Sequence, residues 1–186
     1  GGVNVGPTIT QLEFKPAEGV KLNQITSRAG DLALALAAEA VRIEAPIPGR
    51  GAVGVEVPNE ERRNVTLREI LEHKEFDRVA EKSNLILALG LDVAGNPMMA
   101  DLAKLPHLLV AGATGSGKSV CVNSMITCLI YQNSPEDLRF ILVDPKRVEF
   151  TPYNGIPHLL TPVIVEADKT INILKWTVAE MERRFR

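Results

Sequence analysis

Apolar and polar positions change texture along the chain, and that texture predicts its elements. In residues 8–14, Leu12 and Phe14 share one parity with Glu13 opposite, the two-residue period of a half-buried strand entered after Gly6-Pro7. Residues 31–40 are rich in Ala and Leu and predict a helix. Two strand-like runs, 41–46 and 52–57, are joined by Ile47-Pro48-Gly49-Arg50-Gly51, a turn by composition and length, and Pro58-Asn59 ends the second. Thr66-Leu67-Arg68-Glu69 is a capping box that opens a charged helix running to about Ala80. Near Ser83 charge drops, and 85–93 is almost wholly apolar. Ala94-Gly95-Asn96-Pro97 is a turn and 98–102 a returning strand, so a hairpin is expected. The change at Ser83 divides the chain into a small α+β domain, 1–83, and an α/β domain, 84–186.

Within the second domain the apolar run 107–111 reads as a buried strand. The stretch 119–132, without Gly or Pro, reads as a helix. Asn133-Ser134-Pro135 breaks that helix, and 139–144 supplies a second buried strand ending in Asp144. Asp168 is a good N-cap for a last helix on which Ile171, Leu174, Val178, Met181 and Phe185 recur at steps of three and four along one face. Arg183, Arg184 and Arg186 lie off that stripe, on a wet surface. His158 and Trp176 have no partner by spacing and are assigned to packing.

Composition narrows the function classes. A 186-residue chain with 45% hydrophobic residues and a net charge of −2 has the makings of a folded core. Residues 1–83 carry 11 basic and 13 acidic side chains and the remainder 10 of each, so neither half is a general nucleic-acid coat. Arg62, Arg63, Arg68, Lys74 and Arg78 interleave with Glu60, Glu61, Glu69, Glu72 and Glu75, the pattern of a solvated helix face. Cys121 and Cys128 lie on the predicted 119–132 helix, separated by about 10 Å of rise, and read as small buried thiols of a reducing cytosol. No apolar run approaches a membrane span. Gly1-Gly2 at one end and a helical pattern running into Arg186 at the other suggest a fragment.

The chemistry concentrates in Gly112-Ala113-Thr114-Gly115-Ser116-Gly117-Lys118-Ser119. It fits G-x-x-x-x-G-K-[ST], which a chain of this length meets by accident on the order of one per cent of the time. Glycines let successive backbone N–H groups curl around phosphate oxygens, and the helix that follows adds its unpaired N–H groups and positive dipole end. Lys118 is placed to reach the β and γ phosphates of ATP, Ser119 to ligate Mg²⁺, and Val120 to complete the binding segment. Asp144 ends an apolar strand in the manner of a Walker B aspartate. Pro145-Lys146 follows it rather than a second acid, so Asp144 is read either as nucleotide-proximal or as a structural turn.

Pro106 through Ser119, Val143-Asp144-Pro145-Lys146 and Gly155-Ile156-Pro157-His158-Leu159-Leu160-Thr161 resemble the motor of FtsK/SpoIIIE-type DNA translocases. Gly6-Pro7-Thr8, Ile43-Glu44-Ala45-Pro46-Ile47-Pro48-Gly49 and Glu56-Val57-Pro58-Asn59 resemble the small domain ahead of that motor, and Glu180-Met181-Glu182-Arg183-Arg184 continues the likeness. The resemblance implies a truncated RecA-like P-loop ATPase domain preceded by a small α+β domain. It implies a pump that uses ATP and Mg²⁺ to move double-stranded DNA at cell division or sporulation, assembled as a homo-hexameric ring. The segment itself would be cytoplasmic and without membrane contact, the intact protein being anchored through an N-terminal segment. The family's Asp-Glu pair would fall beyond Arg186, so this stretch alone is expected not to hydrolyse ATP. Two alternatives stay open: a ring ATPase of protein secretion or conjugation, and a non-catalytic nucleotide-binding module. A small-molecule kinase is disfavoured for want of a visible lid or acceptor site.

Overall fold

Alternation of apolar and polar residues builds the first part of the chain into strands. In the computed structural model, which describes residues 1–105 and 107–186, β1 is Gly2–Val5 and β2 Ile9–Phe14. Two short helices follow, α1 Leu22–Thr26 and α2 Ala29–Ala35, then β3 Arg42–Glu44 and β4 Val53–Pro58. The four strands form an antiparallel sheet in the order β1-β2-β4-β3. Its register aligns Asn4, Gln11, Glu56 and Arg42 in one row, and Val3, Leu12, Val55 and Ile43 in the next. Adjacent rows point to opposite faces. On the polar face Arg42 pairs with Glu56 at 3.1 Å, and Arg50, from the 47–51 turn, forks onto both oxygens of Glu13 at 2.8 and 2.9 Å. β2 and the β3–turn–β4 unit fall where the sequence predicts them. β1 and α1 were not expected, being too short to display a period.

Thr66 caps α3, Leu67–Leu71, by accepting the Glu69 N–H at 3.2 Å. The reciprocal half of the capping box is absent, because the Glu69 carboxylate takes Arg63 at 2.8 Å instead. The single helix expected to Ala80 is two: His73 is extended, and its Nδ1 accepts the Glu75 N–H at 3.1 Å to start α4, Lys74–Ala80. Ile70 and Phe76 are buried, while Arg68 pairs with Glu72 and Arg78 with Glu75. Arg63, Arg68 and Arg78 are thus engaged by neighbouring glutamates on a wet surface, as the interleaving predicts.

The expected hairpin forms from β5, Ile86–Leu91, and β6, Pro97–Asp101, paired antiparallel. Asp92 organises its turn by accepting from the Ala94 and Asn96 N–H groups at 2.8 Å each. The boundary expected at Ser83 is not where the compact units divide; they are Gly1–Leu108 and Leu109–Arg186. The reason is packing: α3 lies against β5 and α4 against β6, and Ile86, Leu87 and Ala88 are buried in the same unit as Ile70 and Phe76. The Ser83 hydroxyl also donates to Asp101 at 2.9 Å, joining the hairpin at its base.

The second unit holds α5, Lys118–Gln132, and α6, Ala167–Phe185, with parallel bridges Phe140↔Leu159 and Val143↔Ile164 between them in sequence. Helices and parallel pairing agree with the α/β expectation in coarse form. The detail differs. Residues 139–144 are reduced to single bridges, and 107–111 joins no ladder among the described residues, Leu109 being 89% exposed; a strand persists as such only against partners. Pro106, the first residue of the 106–119 stretch that carries the resemblance above, lies outside the described residues. α6 starts two residues earlier than expected, its N-cap being Glu166 and Asp168 lying in its first turn, and its apolar stripe is exposed, from 52% at Ile171 to 94% at Phe185. His158 is buried, its Nε2 donating to the Asn133 carbonyl at 3.0 Å, whereas Trp176 is half exposed beside Pro162, Val163 and Ile173. The cysteines are reduced thiols, Cys128 buried as expected and Cys121 only half-buried. Among the described residues no helix is long and apolar enough to cross a membrane.

Candidate nucleotide-binding site

The glycine loop leads from coil at Ala111 through a turn at Thr114 and Gly115 into α5. Gly115 (φ +79°) and Gly117 (φ +88°) are left-handed, a region where a side chain would be strained. At Gly112 a Cβ would collide with the Ser116 hydroxyl. Gly117 is the N-cap of α5 and provides no side chain to cap it. The Cys121 N–H makes the first helical bond, to the Gly117 carbonyl at 2.9 Å. The N–H groups of Lys118, Ser119 and Val120 therefore have no acceptor within the helix. They stand at the positive end of its dipole, a setting suited to an anion.

Lys118 is the first residue of α5, and its ammonium folds back over the loop, donating to the carbonyls of Gly112 at 2.8 Å and Ala113 at 2.7 Å. A phosphate oxygen is a stronger partner for that ammonium than two neutral carbonyls. The sequence-predicted set from Gly112 to Val120 is thus brought together on one loop and the first helical turn. Its N–H donors suit an anion, and its side-chain hydroxyls are those of Thr114, Ser116 and Ser119. Among the described residues no group of three or more His, Cys, Asp or Glu could hold a metal ion by itself.

Asp144 is 2% exposed, and both of its oxygens are engaged within its own loop. Oδ1 accepts the Arg147 N–H at 3.0 Å, and Oδ2 accepts those of Glu149 at 2.8 Å and Phe150 at 2.9 Å. The Phe150 bond foremost, with those of Glu149 and Arg147, holds the carboxyl below its ordinary range against the opposing effect of burial. Of the two readings of Asp144, this geometry is that of the structural turn. Arg147, at its centre, takes φ +62°.

One connection to the glycine-loop helix has no counterpart in the sequence reading. The Tyr153 hydroxyl donates to Asn123 Oδ1 at 2.9 Å. Asn123 follows Ser119 by one helical turn, so the two share a face of α5. That spacing is visible in the sequence; the arrival of Tyr153 is not, since a three-residue turn carries no periodic signal.

The FtsK/SpoIIIE family model matches residues 66–186, and the FtsK alpha domain model matches residues 1–59. α3, α4 and the hairpin thus go with the glycine loop in the family model but with the small sheet in packing. The chain is 56% identical over 183 residues to the DNA translocase FtsK of Caldanaerobacter subterraneus subsp. tengcongensis, covering 98% of this chain and 26% of that protein. It is 54% identical over 182 residues to the FtsK of Campylobacter jejuni and 50% over 183 residues to the DNA translocase SftA of Bacillus subtilis, each alignment covering 98% of this chain and 19% of the relative. The chain spans about a quarter or less of the length of these relatives. Among solved structures, the pCW3 conjugation coupling protein TcpA, in monomer form with ATPgS, matches all of this chain and 49% of its own at 21% identity and a TM-score of 0.43, too distant to support an argument. On its family model and these relatives, the chain belongs to the FtsK/SpoIIIE family.

Proposed function

We propose that this chain is the nucleotide-binding part of a motor that couples ATP hydrolysis to movement along double-stranded DNA. The observation that carries the reading is the open set of donors at Lys118, Ser119 and Val120 behind a loop whose glycines at 115 and 117 take left-handed backbone angles that strain a side chain. It lies in a chain whose relatives are named DNA translocases. Bound ATP supplies the phosphoanhydride bond whose hydrolysis drives the motor. Gly112 to Gly117 wrap the phosphates with backbone N–H groups, and Val120 adds its own from the first turn. Lys118 leaves the carbonyls of Gly112 and Ala113 to neutralise the outer phosphates. Ser119 offers its hydroxyl to Mg²⁺ bound with the nucleotide. In the intact protein, subunits assemble as a hexameric ring around the DNA, anchored at the membrane, and act in chromosome partition at division or sporulation. Residues 1–186 alone bind nucleotide weakly at best, with negligible turnover; Asp144, the acid that ends the 139–144 run, has both oxygens engaged within its own loop.

Steady-state ATP turnover by the intact protein, with and without long double-stranded DNA, tests this directly. Strong stimulation by DNA is expected, with Lys118→Ala lowering the stimulated rate by about a hundredfold or more. Turnover indifferent to DNA would replace the reading with a ring ATPase of secretion or conjugation. Nucleotide bound but never hydrolysed would replace it with a non-catalytic module.

A further inference from the structure

The loop between Asp144 and Tyr153 is pinned at both ends. Asp144, buried, gathers three of its N–H groups. Beyond it the chain makes a tight turn, Thr151–Tyr153, and Asn154 accepts the Val163 N–H at 2.7 Å. A segment held this way moves as a body, because local opening must break several bonds to buried or half-buried groups at once. The Tyr153 hydroxyl ties that body to α5 at Asn123, one turn beyond Ser119 on the same helix face. Exposed Lys146, Arg147 and Val148 form its outer side.

From this we infer that Tyr153 couples the 145–150 loop to the nucleotide site, acting through Asn123 to make that loop respond to nucleotide. The inference rests on the nucleotide reading above and goes beyond it. Lys118 spans the loop carbonyls at 2.8 and 2.7 Å, so a triphosphate that takes the ammonium releases the tie between the glycine loop and the first turn of α5 and leaves that end of the helix to settle on the phosphates. Asn123 shares that end of the helix, and its side-chain oxygen is held by the Tyr153 hydroxyl. A shift of the first turns therefore pulls on Tyr153 and, through the short turn that carries it, on the N–H groups gathered by Asp144. An aromatic ring that merely filled space would need no hydroxyl for this, which separates coupling from packing.

The test is hydrogen exchange on the intact protein with and without magnesium and ATPγS, comparing wild type with Tyr153→Phe and with Asn123→Ala. Nucleotide is expected to change exchange at the Arg147, Glu149 and Phe150 amides by at least about fivefold in the wild type, the lower end of ordinary site-to-site coupling. Both variants are expected to bind ATPγS with a dissociation constant within about fivefold of wild type while losing that response. A response that persists in Tyr153→Phe overturns the inference, as does its absence in a wild type that binds nucleotide. A wild type that binds no nucleotide overturns the inference and the nucleotide reading together. Using two variants on opposite sides of one hydrogen bond keeps the result decisive should either fold poorly.

Discussion

At the scale of the residue, Asp144 shows how burial and hydrogen bonding decide what a carboxylate does. An aspartate at the end of an apolar strand, where open α/β sheets bind ligands, has the position of a metal ligand. Here three backbone N–H groups saturate it, the Phe150 bond being the strongest influence that holds its pKa below the ordinary 3.8. A depressed folded-state pKa contributes stability that is fully present above the unfolded value and is lost as pH falls through the lower folded value. The loop should therefore hold above about pH 4 and loosen progressively below it. Asp144→Asn replaces one acceptor oxygen with an NH₂ group that faces N–H donors. It is expected to accelerate amide exchange at Glu149 and Phe150 by on the order of tenfold at neutral pH, the scale of one lost charge-assisted hydrogen bond. The same variant should flatten the acid dependence of that exchange. Wild-type rates retained at both amides would show that the carboxylate is not what closes the loop.

Elements show where periodicity suffices and where it fails. The helix read from 66 to 80 is correct in its start, since Thr66 caps it, and its solvated charges leave Ile70 and Phe76 buried. Its break was not legible, because Glu72 and His73 suit a helix interior about as well as most residues do. What breaks it is a second cap: the His73 ring accepts the Glu75 N–H and starts a new helix. Thr66→Ala and His73→Ala should each lower stability by about 1 kcal/mol, the usual worth of an N-cap, read as a shift of the urea midpoint. A neutral His73→Ala would mean that the break is imposed by packing alone. The glycine loop was legible at the level of single residues because its chemistry fixes residue types at fixed spacing. The Asn123–Tyr153 bond was not, because it joins residues thirty apart through a turn with no repeating pattern. The 107–111 strand was misjudged for another reason: apolar composition predicts burial, but a ladder also needs a neighbour, which composition does not provide.

On the scale of the whole chain, the difference between Ser83 and Leu108 as the dividing point is a physical question about one core. Charge and hydropathy change at Ser83 because a solvated helical stretch gives way to a buried hairpin, and a change of surface character resembles a domain boundary when read in one dimension. In space the two textures are the outer and inner parts of one packed body: Ile70 is 2% exposed and Phe76 2%, and Ile86 and Leu87, on the strand against α3, are 1% each. Ile70→Ala opens a cavity in that body and should cost about 2–5 kcal/mol. If the hairpin shares its core with α3, exchange at the Ile86, Leu87 and Ala88 amides rises together with that of α3 in the variant. The Cys128 and Leu129 amides of α5, in the other compact unit, should keep their protection, because deleting a side chain from one core leaves the contacts of the other unchanged. Protection retained in the hairpin while α3 loses it would instead divide the chain at Ser83. The same measurement thereby distinguishes a boundary of composition from a boundary of packing, and it decides whether α3 and α4, which the family model groups with the glycine loop, fold with the sheet they precede or with the one they follow.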